Sequence, residues 1–277
     1  MTSSRASSTI FACHQEFRDE LGYLPLSIDS PFYVKVAENV EFAGLFVEPK
    51  EMWEDLSWVQ LHVPSLQGKL NSSLAVALKG KLLEQHRPLV LLIESYNLPM
   101  IALQEMLNLS KTDYVNTKYC RDLRSTARDD HQIPEGVTIR NFKLGQDDSL
   151  YVKLYNEALG HLGSTIDSEF LKSEIIDQDT FDPDGYFIAE LDETPVGLFS
   201  IELLAPEIAY IYQTGVDKEA RGRGIGAAMC SQAVKFAVGR GASKIWVSAN
   251  SNNREAARFF RKMCFKEVFQ ITGYLMQ

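Results

Sequence analysis

VDKEARGRGIGAAM, residues 216–229, is the stretch on which the reading of this chain turns. It follows an apolar run, IAYIYQTGV at residues 208–216, that reads as a strand. It then enters a segment with apolar residues at Ile225, Met229, Ala233 and Phe236, the spacing of a helix face. A glycine-rich turn at a helix N-terminus leaves several backbone N–H groups without carbonyl partners, all aimed at one place. The helix dipole adds partial positive charge there, and Arg221 and Arg223 add more. Such a turn suits a phosphate or diphosphate. Glycines at 222, 224 and 226 remove side chains that would hold an anion away and permit positive φ.

Two common nucleotide loops do not fit these residues. A Walker loop ends in Gly-Lys-Ser/Thr, whereas this one ends in Gly-Ala-Ala. The Rossmann fingerprint is G-x-G-x-x-G with an acid on the following strand; here the spacing is G-x-G-x-G, and KIWVSAN ends in no acid. The pattern that fits is Arg/Gln-x-x-Gly-x-Gly/Ala, met by Arg221, Gly224 and Gly226. Downstream come Asn253-x-x-Ala256, the pair Phe259–Phe260, and Lys262-Met263-Cys264-Phe265.

On these two motifs the chain resembles the GNAT N-acyltransferase superfamily, over roughly residues 136–277 and most specifically over residues 212–265. The resemblance implies acetyl-CoA as co-substrate, with no metal. It places Thr214, Gly215 and Val216 at the end of the fourth strand, which splays from its neighbour and presents backbone groups to the pantetheine and the thioester carbonyl. Arg221, Gly222, Arg223, Gly224, Ile225, Gly226 and Ala227 would wrap the diphosphate, and Asn253 would bond the pantetheine arm or hold its local turn. Two positions depart from the family. Phe260 stands where a tyrosine often donates a proton to the departing thiolate, and phenylalanine cannot donate; water, Tyr274 or Tyr212 are the alternatives. Cys264 replaces a glycine and reads as a packing change.

The chain is also similar to itself. YVKVAENVEFAGLFVE, residues 33–48, parallels YFIAELDETPVGLFSIE, residues 186–202, with Gly-Leu-Phe in one register. VQLHV at 59–63 matches YQTGV at 212–216 at the same shift, and the helix–strand–helix segments that follow run parallel after a one-residue slip. We therefore expect an α+β fold of two tandem GNAT-like domains, each a mixed central sheet flanked by helices. The expected divisions are a degenerate domain over 1–125, a linker over 126–136, and the acyl-CoA-binding catalytic domain over 137–277. In the first copy the glycine loop reads Gln67-Gly68-Lys69-Leu70-Asn71-Ser72, with Leu70 and Ser72 where the key glycines belong, so it is not expected to bind CoA. The doubled arrangement resembles that of mycothiol synthase and the N-myristoyltransferases.

Acyl transfer to an amine needs a neutral nucleophile, a held thioester carbonyl and a route for the ammonium proton. Glu202, near the end of the third strand of the second copy, is the first choice of general base, and Tyr212 of acid or orienter. Their bland readings are a solvated strand end and a half-buried strand aromatic. Alternation places Tyr210, Tyr212 and Thr214 on one face. The acidic segment TIDSEFLKSEIIDQDTFDPDG, residues 165–185, would draw a cationic amine, or is simply a solvated helix and turn. None of the five histidines has a second ligand at metal spacing. Cys230, one turn into the helix after the glycine loop, reads as core.

The remaining composition excludes rather than assigns. With 277 residues, 45% hydrophobic and 23% charged, the chain is an ordinary globular one. A net charge of -9, spread over both halves, argues against nucleic acid or an anionic membrane as partner. No apolar run approaches the ~18 residues of a membrane span, and the N-terminus is a poor secretory signal. Four scattered cysteines with no CxxC pair suit a reduced cytoplasm. The expected function is transfer of an acetyl group from acetyl-CoA to a primary amine of a small molecule or peptide, by a monomer or homodimer. The alternatives are a non-catalytic acyl-CoA-binding regulatory module and a transferase for a longer acyl donor.

Overall fold

The computed structural model describes residues 31–37, 40–47, 57–62, 72–85, 89–96, 98–124, 131–160 and 165–277. The first-copy loop at 67–71 and part of the expected linker, 126–130, lie outside these residues. The fold is mixed α+β, its strands in sheets flanked by helices. The first half contains β1 (Pro31–Ala37), β2 (Val40–Val47), β3 (Ser57–His62), α1 (Ser72–Gln85), β4 (Leu89–Glu94), α2 (Leu98–Met106) and β5 (Ser110–Asp122). The second contains β6 (Val137–Asn141), α3 (Asp148–Leu159), α4 (Ser168–Leu171), β7 (Tyr186–Leu191), β8 (Thr194–Ala205), β9 (Ile208–Val216), α5 (Ile225–Gly239), β10 (Lys244–Asn250), α6 (Arg254–Lys262) and β11 (Lys266–Met276). The order strand, strand, strand, helix, strand, helix, strand runs from β1 to β5 and again from β7 to β11. In each run the first two pairings are antiparallel and the third is parallel.

The chain divides into two compact units that do not follow its halves. One consists of described residues up to Lys118 together with Ala249–Arg254 and Val268–Gln277. Its strand order is β1-β2-β3-β4-β11-β5, with β11 antiparallel to β4 from Ile271↔Glu94 to Met276↔Leu89. Gly273 sits where a Cβ would come within 2.7 Å of Thr112 Oγ1, and that hydroxyl donates to the Gly273 carbonyl at 3.0 Å. The C-terminal strand is thus built into the sheet of this unit.

The other unit consists of Tyr119–Ser248 and Glu255–Glu267. Its strand order is β5-β10-β9-β8-β7-β6, β5 contributing from Tyr119 onward. The β7–β8 hairpin closes through Asp192 and Glu193, both at positive φ, as a two-residue turn matched to strand twist demands. On one sheet face Phe142, Tyr151, Leu154, Ile166, Leu171, Ile175, Tyr186, Ile188 and Leu198 form a core with α3 and α4. On the other, α5 buries Ile225, Met229 and Ala233, the face expected from their spacing, and Cys230 with them. Glycines let both helices approach. A Cβ at Gly215 would lie 2.5 Å from Ala158 Cβ on α3, and one at Gly197 would lie 3.1 Å from Met229 Cε on α5. Among the described residues no helix is long and apolar enough to cross a membrane, and no three His, Cys, Asp or Glu side chains gather to hold a metal ion.

Candidate active site

The site begins where two parallel strands part. β9 and β10 pair from Ile208↔Lys244 to Ile211↔Val247 and no further, although β9 runs on to Val216. Thr214 to Val216 therefore keep their β8 partners on one edge and have no β10 ladder on the other. Such backbone N–H and C=O groups need partners from elsewhere. Thr214, Gly215 and Val216 pair with Phe199, Leu198 and Gly197. The expected single face of Tyr210, Tyr212 and Thr214 does not form. Opposite Ser200, β9 carries two residues, Tyr212 and Gln213, and this bulge breaks the alternation before Thr214. The Gln213 N–H donates to Ser200 Oγ at 3.0 Å, which pins the bulge.

From Val216 the chain makes a short 3-10 turn, Lys218–Ala220, capped by the Asp217 carboxylate accepting from the Glu219 N–H, and reaches the glycine turn. Gly222 and Gly224 stand at φ +80° and +85°, left-handed values that a side chain resists. A Cβ at Gly222 would meet nothing within 4 Å, so its surroundings are open. Gly224 is the N-cap of α5 without a side chain to bond the helix, and the N–H groups of Ile225, Gly226 and Ala227 have no carbonyl one turn back. The Arg221 guanidinium is tied down, Nε donating to the Val216 carbonyl at 2.9 Å and Nη1 to Glu255 Oε2 at 3.4 Å. Arg223 is exposed. Gly226 faces α6, where a Cβ would meet Phe259 at 3.4 Å. These residues form an open cradle of N–H donors with positive charge at its rim, which fits a diphosphate. Asn253 lies in the turn after β10, its N–H on the Asn250 carbonyl at 2.8 Å, within the first unit.

Glu202 is not a solvated strand end. It is only 6% exposed, and both of its oxygens accept hydrogen bonds. Tyr186 Oη donates to Oε1, and Thr180 Oγ1 to Oε2 at 2.5 Å. Burial, then the neighbouring Glu202 charge, push the Tyr186 phenol far above its ordinary range, so it stays a donor. Burial likewise raises Tyr151, whose Oη donates to Gln213 Oε1 at 3.3 Å; Ser200 Oγ donates to the same oxygen. Across the sheet Glu202 stands opposite Tyr210, whose ring lies 4.9 Å from that of Tyr212. Tyr212 is 40% exposed. Of the two residues picked from sequence, Glu202 is thus buried among hydroxyls and Tyr212 is open, with Tyr210 standing opposite the first and against the ring of the second. Thr180, Tyr186, Ser200, Gln213 and Tyr151 were not picked. The only sequence signal was Ser200 and Glu202, polar at alternate positions of an otherwise apolar strand.

The acidic segment is partly spoken for. Asp167 caps α4, accepting from the Phe170 N–H at 2.7 Å, while Asp182 and Asp184 bind Arg240 at 2.6 and 3.1 Å. Phe260 is buried against Tyr119, Phe259 and Phe265, ring centroids 5.3 to 5.9 Å apart.

Comparison with known proteins agrees with this geometry. Over 137 residues the chain is 28% identical to the mycothiol acetyltransferase of Streptomyces griseus subsp. griseus, a match covering 48% of this chain and 44% of that protein. The chain thus spans about half the length of the curated relatives it matches. Among solved structures it resembles a GCN5-related N-acetyltransferase from Sphaerobacter thermophilus, with a TM-score of 0.66 and 19% identity over 84% of this chain and 76% of that one. It also resembles a tandem GNAT protein from the clavulanic acid biosynthesis pathway, with a TM-score of 0.64 and 12% identity over 84% and 78% of the two chains. At such identities these likenesses are of fold. The sequence model of the acetyltransferase (GNAT) family matches residues 118–265, more than half of the chain, and the chain belongs to that family.

Proposed function

We propose that the protein is an acetyl-CoA-dependent N-acetyltransferase that moves an acetyl group to a primary amine by direct attack, using the site of the second unit alone. The observation that carries this reading is the parting of β9 from β10 beyond Ile211, which opens directly onto the glycine turn at the head of α5. The unpaired edge of Thr214, Gly215 and Val216 would bind the pantetheine and the thioester carbonyl. The N–H groups from Gly222 to Ala227, with Arg221 and Arg223, would hold the diphosphate. Asn253, in the first unit, would hold the local turn after β10.

In the reaction the amine nitrogen attacks the thioester carbonyl carbon. A C–N bond forms, the C–S bond breaks, and the electron pair leaves with sulfur. Glu202 draws the proton that the amine must shed, and Tyr212 supplies one to the departing thiolate, a task Phe260 cannot perform. We further propose that the element order of the first half is a degenerate copy of the second, in domains 1–125 and 137–277 joined by 126–136. Support comes from the repeated order and pairing sense of β1 to β5 and β7 to β11, and from the likeness to a tandem GNAT protein. The protein would work in the cytoplasm, as a monomer or homodimer.

Calorimetric titration with acetyl-CoA tests this. One site per chain, lost in Gly224→Trp and Gly226→Trp, is the expected result; two sites would refute the degenerate first copy, and no binding would sink the acetyltransferase reading. A second reading, a non-catalytic acyl-CoA-binding module, is favoured by the burial of Phe260. Release of CoA thiol in the presence of an amine acceptor separates the two.

A further inference from the structure

Gln213 belongs to the bulge of β9, opposite Ser200 and past Ile211, where the β10 ladder stops. Its side chain lies on the α3 face of the sheet: Tyr151 of α3 bonds it, and Gly215, two residues on, abuts Ala158 of the same helix. Ser200 Oγ and Tyr151 Oη both donate to Gln213 Oε1. The hydroxyls decide which end of the amide faces them. Both residues are fully buried, so each hydroxyl hydrogen needs an acceptor inside the protein. Burial keeps the Tyr151 phenol protonated, and Ser200 Oγ already accepts the Gln213 backbone N–H at 3.0 Å. An amide oxygen has two lone pairs and takes both hydrogens, whereas an amide nitrogen only donates. The nitrogen is thereby turned away from the hydroxyls and held. Nε2 bonds no other group among the described residues, yet it is not sealed from solvent in this half-buried side chain. It is a donor aimed in advance, with no acceptor in the second unit.

We infer that Gln213 Nε2 donates to the thioester carbonyl oxygen, and that Gln213 is a catalytic residue holding the negative charge that forms there during acyl transfer. This inference deepens the acetyltransferase reading and rests on it for the identity of the site. The freed edge on which that reading lays the thioester begins one residue later, at Thr214. As the amine nitrogen forms the C–N bond, the carbonyl π pair moves onto oxygen, where the Gln213 N–H meets it. The amine proton leaves by the route given above. When the pair returns to restore C=O, the C–S bond breaks and sulfur departs with its electrons. A neutral donor fixed by two hydroxyls costs no reorientation at that moment. Ser200 and Tyr151 are its positioning residues.

Two measurements test this without an acceptor amine. Infrared difference spectroscopy of acetyl-CoA carrying carbon-13 at the carbonyl reads that bond directly. Calorimetry compares acetyl-CoA with S-ethyl-CoA, a thioether that lacks the carbonyl. On the native protein the carbonyl stretch should fall in frequency on binding, and acetyl-CoA should bind about fivefold more tightly than S-ethyl-CoA, the worth of one hydrogen bond. Gln213→Met, of similar length but without an N–H, should lose most of the shift and of the preference while S-ethyl-CoA binds as before. A merely structural role would weaken both ligands alike. Should Gln213→Met fail to fold, Ser200→Ala, which keeps the amide but frees it, decides: its bound carbonyl band should be broader and less shifted. A shift and preference undiminished in the deciding variant, or equal weakening of both ligands, would overturn the inference. If the native protein binds acetyl-CoA with no shift of the carbonyl, this inference alone falls; if it binds neither ligand, the acetyltransferase reading falls with it.

Discussion

Gly224 and Cys264 hold the same left-handed backbone, at φ +85° and +64°, but only one of them is a glycine. At Gly224 the conformation turns the chain into α5, and a Cβ would have room, its nearest contact being Pro134 Cγ at 3.5 Å. Gly224→Ala should therefore fold, lose about 1–2 kcal/mol from backbone strain alone, and weaken acetyl-CoA binding. Urea titration and calorimetry read the two effects separately. Cys264 ends α6 in a Schellman turn: its N–H reaches the Arg261 carbonyl at 3.1 Å, and the Phe265 N–H reaches that of Phe260 at 2.9 Å. Glycine suits the central position of that turn far better than cysteine. Cys264→Gly should raise stability by about 1 kcal/mol, seen as a higher urea midpoint with an unchanged slope. A refined residue at 264 that lowered the midpoint would mean the thiol packs usefully, although Cys264 is exposed.

At the scale of elements, β6, the start of α3 and β7 are joined by one cation. Arg140 donates to both oxygens of Asp147, at 2.7 and 3.1 Å, and to Glu190 Oε1 at 2.8 Å. The Arg140 hydrogen bonds hold the Asp147 carboxyl below its ordinary value of 3.8. A carboxylate with a depressed folded-state pKa stabilises the fold above its unfolded value and loses that contribution as pH falls through the folded one. Asp147→Asn should thus be less stable by about 2 kcal/mol at neutral pH, with the deficit shrinking once pH drops below 3.8. Denaturant titrations across pH check it. Gly215→Ala, whose Cβ would fall 2.5 Å from Ala158 Cβ, should push α3 from β9 and cost about 2 kcal/mol, measurable as faster amide exchange in α3. The glycine turn was legible in the sequence because its chemistry is local: residues 221–227 supply their own geometry. The bulge at Tyr212–Gln213 was not, since an extra residue leaves the apolar pattern of β9 intact. Nor were the partners of Glu202, because Thr180 and Tyr186 reach it only once the turns around Lys172–Ile176 and Pro183–Gly185 have folded back on the sheet. The final strands escaped as well. β5 buries Thr117, Lys118 and Arg121, so hydrophobic periodicity could not announce it.

For the whole molecule the decisive feature is that the units do not follow the chain: Val268–Gln277 completes the sheet of the first unit, and Tyr119 to Asp122 joins that of the second. Removing residues 268–277 should strip β4 of its antiparallel partner along Leu89–Glu94, leaving it paired with β3 alone, and expose Leu91 and Ile93, unfolding the first unit in preference to the second. Amide exchange in β4 and in β8 distinguishes this from global collapse. The same interleaving bears on synthesis. A ribosome delivers the early segments β1 to β4 long before Val268, so the unit begun first waits on residues made last, while β6 to β10 emerge in the interval. During that wait the β4 edge is an open template for any passing strand. The nascent protein is therefore most exposed to misassembly late in translation, and slower elongation through residues 123–267 would lengthen the hazard rather than relieve it.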